Sequence, residues 1–180
     1  PYQPAGIWEQ LSVIDDKKLY VLSEGADLWR RSLYTYWKRT SPPPGLATFD
    51  APTREFCVVR RTRSTTPLQA LVLLNDETYI EAARLLAQRM IHDGGRLPGQ
   101  RIAYGFRLAT MRVPTAAELG VLTAGLERRT VQYRADPKAA GQLLAAGQAP
   151  RDEKLDAVEL AAYTTVASVI LNLDEVVTKQ

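Results

Sequence analysis

Four helix-start patterns spread over residues 66–159 restrict this chain more than any other feature of its sequence. In Thr66-Pro67-Leu68-Gln69 a hydroxyl can accept from the exposed amides, a proline suits the first helical position, and a glutamine can reach back as in a capping box. Thr115-Ala116-Ala117-Glu118 and Asp156-Ala157-Val158-Glu159 repeat that logic, and Asp136-Pro137 opens a short helix ending near Gly147. The apolar residues between these points follow a helical period. The spacing predicts a helix to Leu74, then one opened by Asn75-Asp76 with Tyr79, Ala82, Ala83, Leu86 and Met90 inward and Gly94-Gly95 as its stop. It predicts a third over Gln100–Arg112 with Ile102, Phe106 and Ala109 on one side, ended by Pro114. Leu119, Leu122, Leu126 and Tyr133 face inward on the next, and Leu160, Thr164, Ala167 and Leu171 on the last. No fixed period relates the segments, which argues against a solenoid. The fold expected is mainly α, an irregular multi-helix domain.

The first third of the chain reads differently. Pro1, Pro4, Gly6 and Gly25 break residues 1–27 into an extended arm, with Leu19-Tyr20-Val21-Leu22 as a candidate strand. From Asp27, DLWRRSLYTYWKR supports a helix that places Leu28, Leu33 and Trp37 on a face with Tyr36, although its aromatic centre also suits a strand. Pro42-Pro43-Pro44-Gly45 fixes φ and removes donors, so Thr40 to Pro52 is expected to be a long loop without regular structure. The chain thus reads as one domain over 1–180: an arm (1–27), an aromatic and arginine-rich segment with its loop (28–63), and a helical core (64–180).

Counts exclude several chemistries. The 180 residues are 46% hydrophobic and 24% charged, enough to bury a core without a staple. No apolar run approaches the roughly 18 residues that span a bilayer, and the visible N-terminus carries no leader pattern. A single cysteine, Cys57, rules out an intrachain disulfide, and a single histidine, His92, leaves no CxxCH haem attachment and no conventional metal set. Cys57 lies in the apolar run Phe56-Cys57-Val58-Val59 and reads as a buried small hydrophobe; His92 reads as a cation at a helix C-terminus.

Charge is uneven. Residues 28–63 hold eight basic residues against Asp50 and Glu55, a balance of +6, and the remainder carries −3 of the net +3. Within that segment Tyr34, Tyr36, Trp37, Arg39, Asp50, Arg54, Glu55, Arg60 and Arg61 form the candidate ligand or anion site. Aromatic faces beside guanidinium groups can stack on sugars and hold sulfate, carboxylate or phosphate. The alternative is structural: Trp37 and Tyr34 in a core, with the arginines paired to Asp50, Glu55 and helix-terminal carbonyls. Asp50 and Glu55 make a poor glycosidase pair, because neighbouring Arg54 and Arg60 would depress both carboxyl pKa values. The acidic remainder weighs against nucleic acid as the partner. It also points to Asp174 and Glu175 docking on the basic segment.

The stretches RRSLYTYWKRTSPPP, TFDAPTREFCVVRRTRSTTPLQALVLLND and SVILNLDEVVTK resemble the C-terminal domain of unknown function of large planctomycete and verrucomicrobial proteins that also carry planctomycete cytochrome c-like domains. The likeness covers nearly the whole chain. It departs in RTRSTTPLQ, where an Asn is expected among the Ser and Thr residues, and at Tyr163, where the family often has Trp. The resemblance implies that Pro1 lies inside a larger domain and that the parent is exported, placing the chain outside the cytoplasm. It also implies that any haem belongs elsewhere in the parent, with no cofactor in this chain. The family supplies no activity. The function expected is a non-catalytic interaction or scaffold domain whose partners are other domains of the parent or a surface protein. The rival is a module that binds or processes an anionic polysaccharide through the aromatic and arginine-rich segment.

Overall fold

A computed structural model describes residues 2–3, 6–7 and 21–178, and among these the regular elements are all helical. The chain clusters into two compact units, Pro1–Val72 and Leu73–Gln180.

In the second unit α3 (Glu77–Asp93), α4 (Pro98–Thr110), α5 (Ala116–Ala135) and α6 (Pro137–Leu144) all pack against α7 (Ala157–Leu171); the short α8 (Asp174–Val177) follows. Helix α7 is apolar on nearly every side, the pattern of a helix enclosed by others. Leu160, Ala161, Ala162, Tyr163, Val166, Ala167 and Ile170 are buried, and Thr164 removes its own polar cost by donating to the Leu160 carbonyl at 2.7 Å. The starts predicted at Asp76, Thr115, Asp136 and Asp156 are built as expected. Asp76, Asp136 and Asp156 accept from the amides of Thr78, Ala139 and Glu159, and Thr115 and Glu118 cap each other reciprocally.

Three expectations for this unit need correction. Helix α4 begins at Pro98, two residues before Gln100, because proline at the first helical position loses no hydrogen bond. It ends at Met111, whose φ of 63° turns the chain ahead of Pro114. On α3, Ala83 and Met90 are buried and Leu86 packs against the core as predicted, but Tyr79 is only half-buried and Ala82 is exposed. Ala87, Ile91 and the charged pair Glu81 and Arg84 take the remaining inward positions. That pair serves the loop after α6: Arg84 donates to the Ala149 and Ala146 carbonyls at 2.8 and 3.2 Å, and Glu81 accepts from the Ala149 amide. Gly147 turns beside it with φ of 81°, where a Cβ would fall 2.4 Å from the Glu81 carboxylate. The third correction concerns Glu175, which pairs with Arg112 at 2.6 Å and not with the basic segment; Arg112 simultaneously holds Glu118.

In the first unit the helix expected from Asp27 is absent. Two short 3-10 turns, Gly25–Trp29 and Ser32–Tyr34, are separated by Arg30 and Arg31 in extended conformation. Neither turn has a side-chain cap, Asp27 pairs instead with Arg30 at 2.7 Å, and Leu33 stays 75% exposed. A helix of this length needs tertiary burial of its stripe, and only Leu28 obtains it. The Pro-rich stretch, conversely, contains a single helical turn, α1 (Pro44–Thr48), started by Pro44 in the position where proline is tolerated. Leu19 and Tyr20 of the candidate strand lie outside the described residues, and Val21 and Leu22 form no strand. Helix α2 (Pro67–Asn75) starts on the predicted box: Thr66 and Gln69 exchange hydrogen bonds of 3.1 and 3.3 Å.

Removing one member of a buried ion pair strands the other, so Arg84→Leu is expected to lower stability by about 3–5 kcal/mol in urea unfolding. Arg112 and then the Thr115 amide and hydroxyl hold the Glu118 carboxyl down to about 2 from its ordinary 4.5. Since the folded value is the lower one, this contribution is full above 4.5 and disappears as pH falls towards 2. Glu118→Gln should flatten the acid limb of melting temperature against pH.

Candidate functional site: the aromatic and arginine-rich segment

A polar knot fixes the ends of this segment. Asp50, left-handed at φ 58° after the last turn of α1, accepts from the Ser64 amide at 2.8 Å and from its hydroxyl at 2.8 and 2.9 Å. Aspartate tolerates this conformation better than most residues. Gln69, buried at the start of α2, donates to the Thr48 carbonyl at 2.9 Å, to Ser64 at 3.2 Å and to Asp50 at 3.5 Å. The Ser64 donors, aided by the Arg61 charge and Gln69, hold the Asp50 carboxyl below its ordinary value. Asp50 is therefore an ionised anchor and has the wrong electrostatics for an acid catalyst. The roles of Ser64 and Gln69 were missed in the sequence, where the capping pattern marked Gln69 for Thr66 alone.

The loop closed by that knot displays its side chains. Phe56 is 71% exposed, Val59 is fully exposed, and Cys57 is exposed as well, contrary to the burial expected from its apolar neighbours. An apolar run predicts burial only if something covers it. Arg54 adopts φ 64° and lays its guanidinium over the Trp37 ring at 4.8 Å. The left-handed backbone costs roughly 1–2 kcal/mol, which a cation–π contact of about 0.5–1 kcal/mol offsets only in part. Trp37 is half-buried, and its Nε1 is a buried donor with no acceptor among the described residues.

The other candidates are spread over both ends of the segment. Tyr34 and Tyr36 are exposed, with Arg30 5.9 Å from the Tyr34 ring centre, so Tyr34 is not a core residue. Arg61 donates to the Phe49 carbonyl at the end of α1, the helix-terminal use of arginine. Arg39, Glu55 and Arg60 are exposed. Of the arginines in 28–63, only Arg30 has a carboxylate ion pair among the described residues. The structure thus joins Trp37 to Arg54 and Asp50 to Ser64, Gln69 and the Arg61 charge, and does not pair Asp50 with Glu55. His92, in the last turn of α3, bonds Asp152 at 3.0 Å. No group of three or more His, Cys, Asp or Glu among the described residues could hold a metal ion.

These features define an all-helical domain preceded by a knotted, solvent-facing arginine-rich loop. The family model described as PSD1, protein of unknown function (DUF1553), matches residues 1–126, and the chain belongs to that family. No curated protein and no solved structure matches it.

Asp50→Ala is expected to abolish protection of the Ser64 amide in hydrogen exchange while amides of α7 remain protected. In the parent sequence that protection should hold above the ordinary carboxyl value of 3.8 and vanish as pH falls through the lowered one.

Proposed function

We infer that the chain is a non-catalytic interaction domain whose contact element is the loop between Asp50 and Ser64. The observation that carries this reading is the imbalance of the first unit. Among its described residues Leu28 is the one buried large hydrophobe, while Val21, Trp29, Leu33, Tyr34, Tyr36, Phe56, Val58, Val59, Leu68 and Leu71 are exposed. Isolated exposed apolar residues are ordinary, but Phe56, Val58 and Val59 lie together in one tethered loop, flanked by Arg60 and Arg63. Apolar anchors rimmed by arginine suit a protein surface that offers apolar contacts and carboxylates.

The partner in this reading is another domain of a larger parent chain or a separate surface protein. The parent is exported and cytochrome-associated, with its haem outside these residues; this context rests on the family resemblance. Among the described residues no helix is long and apolar enough to cross a membrane.

Trp37 and Arg54 favour a second reading, an anionic polysaccharide held by the stacked pair. Two measurements separate the readings. In titrations against the purified remainder of the parent protein, Phe56→Asp with Val59→Asp should weaken binding about tenfold or more, with the melt of the helical unit unchanged. Retention of sulfated or uronic-acid polymers on a glycan array, lost in Trp37→Ala, would replace the first reading with the second.

A further inference from the structure

Helices α5 and α7 leave a groove of about 390 Å³ between them. Leu122 and Val166, both buried, line its depth, while Val121 and Val169 remain 70% and 45% exposed. Gly125 lies in the middle of α5 on the same face, and a Cβ built there meets nothing within 4 Å. Glycine inside a helix weakens it relative to alanine, yet no turn, positive φ or close approach within the chain calls for glycine here. Nothing in the chain fills the opening that it leaves on this face. One turn further on, exposed Arg128 and Arg129 stand on the rim. Arg129 holds Gln132 at 2.6 Å, and Arg128 has no ion pair among the described residues. No acidic side chain lines the groove.

We propose that this groove docks an acidic, apolar peptide segment, seated over Gly125 between Val121 and Val169 with a carboxylate received by Arg128. The apolar depth supplies affinity, and the charge asymmetry of the rim selects the acidic partner. A groove walled by two helices, with an apolar depth and a basic rim, suits a peptide that offers apolar and acidic side chains together. The residues belong wholly to α5 and α7, so this site is independent of the loop between Asp50 and Ser64.

The test is selection of a displayed random-peptide library on the full chain, followed by titration of synthetic copies of the enriched peptides. Enriched sequences should combine Asp or Glu with Leu, Ile, Val or Phe. Gly125→Leu, which fills the groove, and Arg128→Glu should each weaken binding about tenfold or more. Gly141→Leu, at an open helical glycine outside the groove, should leave it unchanged. Gly125→Ala should raise the melting temperature while reducing affinity, a split that a purely structural glycine would not give. Melts by circular dichroism establish that the variants fold. Failure to enrich any peptide, enrichment without acidic residues, or binding indifferent to both Gly125→Leu and Arg128→Glu would overturn the proposal.

Discussion

Burial of α7 on nearly every side is the demand that organises the helical unit. A helix that buries five consecutive residues, Leu160 to Thr164, cannot be satisfied by a single neighbour, and α3, α4, α5 and α6 all supply cover. Small residues make such close cover feasible: Ala161, Ala162 and Ala167 on α7 itself, and Gly105 on α4, where a Cβ would fall 2.6 Å from the Met90 side chain. Burial of each large aliphatic side chain is worth about 1.5–3 kcal/mol, whereas an exposed ion pair contributes about 0–1 kcal/mol. The Arg112 cluster, with both carboxylates more than a third exposed, therefore orients α8 and the start of α5 more than it stabilises them.

What was legible in the sequence was local. Caps at Thr66, Asp76, Thr115, Asp136 and Asp156 depend on residues two or three positions apart, so spacing alone placed them. What was illegible required knowledge of a distant neighbour. The inward face of α3 includes Glu81 and Arg84 because a loop more than sixty residues later needs their donors and acceptors. The same ignorance misplaced Cys57, gave Glu175 the wrong partner, and extended a helix through Leu33 where no tertiary surface receives it. Within the candidate site, residue type identified aromatic and arginine partners, and Arg54 does stack on Trp37. The assignment of Asp50 to Ser64 joins residues fourteen apart across an irregular loop, for which no periodicity exists.

The two units show opposite physical habits. Leu73–Gln180 holds a continuous apolar cluster from α3 to α7, whereas the described part of Pro1–Val72 keeps its order through polar ties, a cation–π contact and one buried leucine. Membership of the PSD1 family covers all of the first unit and the second as far as the middle of α5. The family relationship thus describes both habits without assigning either a reaction.

The knot at Asp50 and Ser64 has an evolutionary corollary. Because these two residues clamp the base of the loop, the chain between Arg54, which stacks on Trp37, and Arg61, which holds the Phe49 carbonyl at the end of α1, contributes little to the geometry of α1 or α2. Lengthening a flexible loop costs only about 0.6 kcal/mol for each doubling. Insertions or replacement between Glu55 and Arg60 would then leave the flanking helices in register. Related chains could rewrite this stretch to suit new companions while inheriting the same framework, much as a tool holder accepts interchangeable bits.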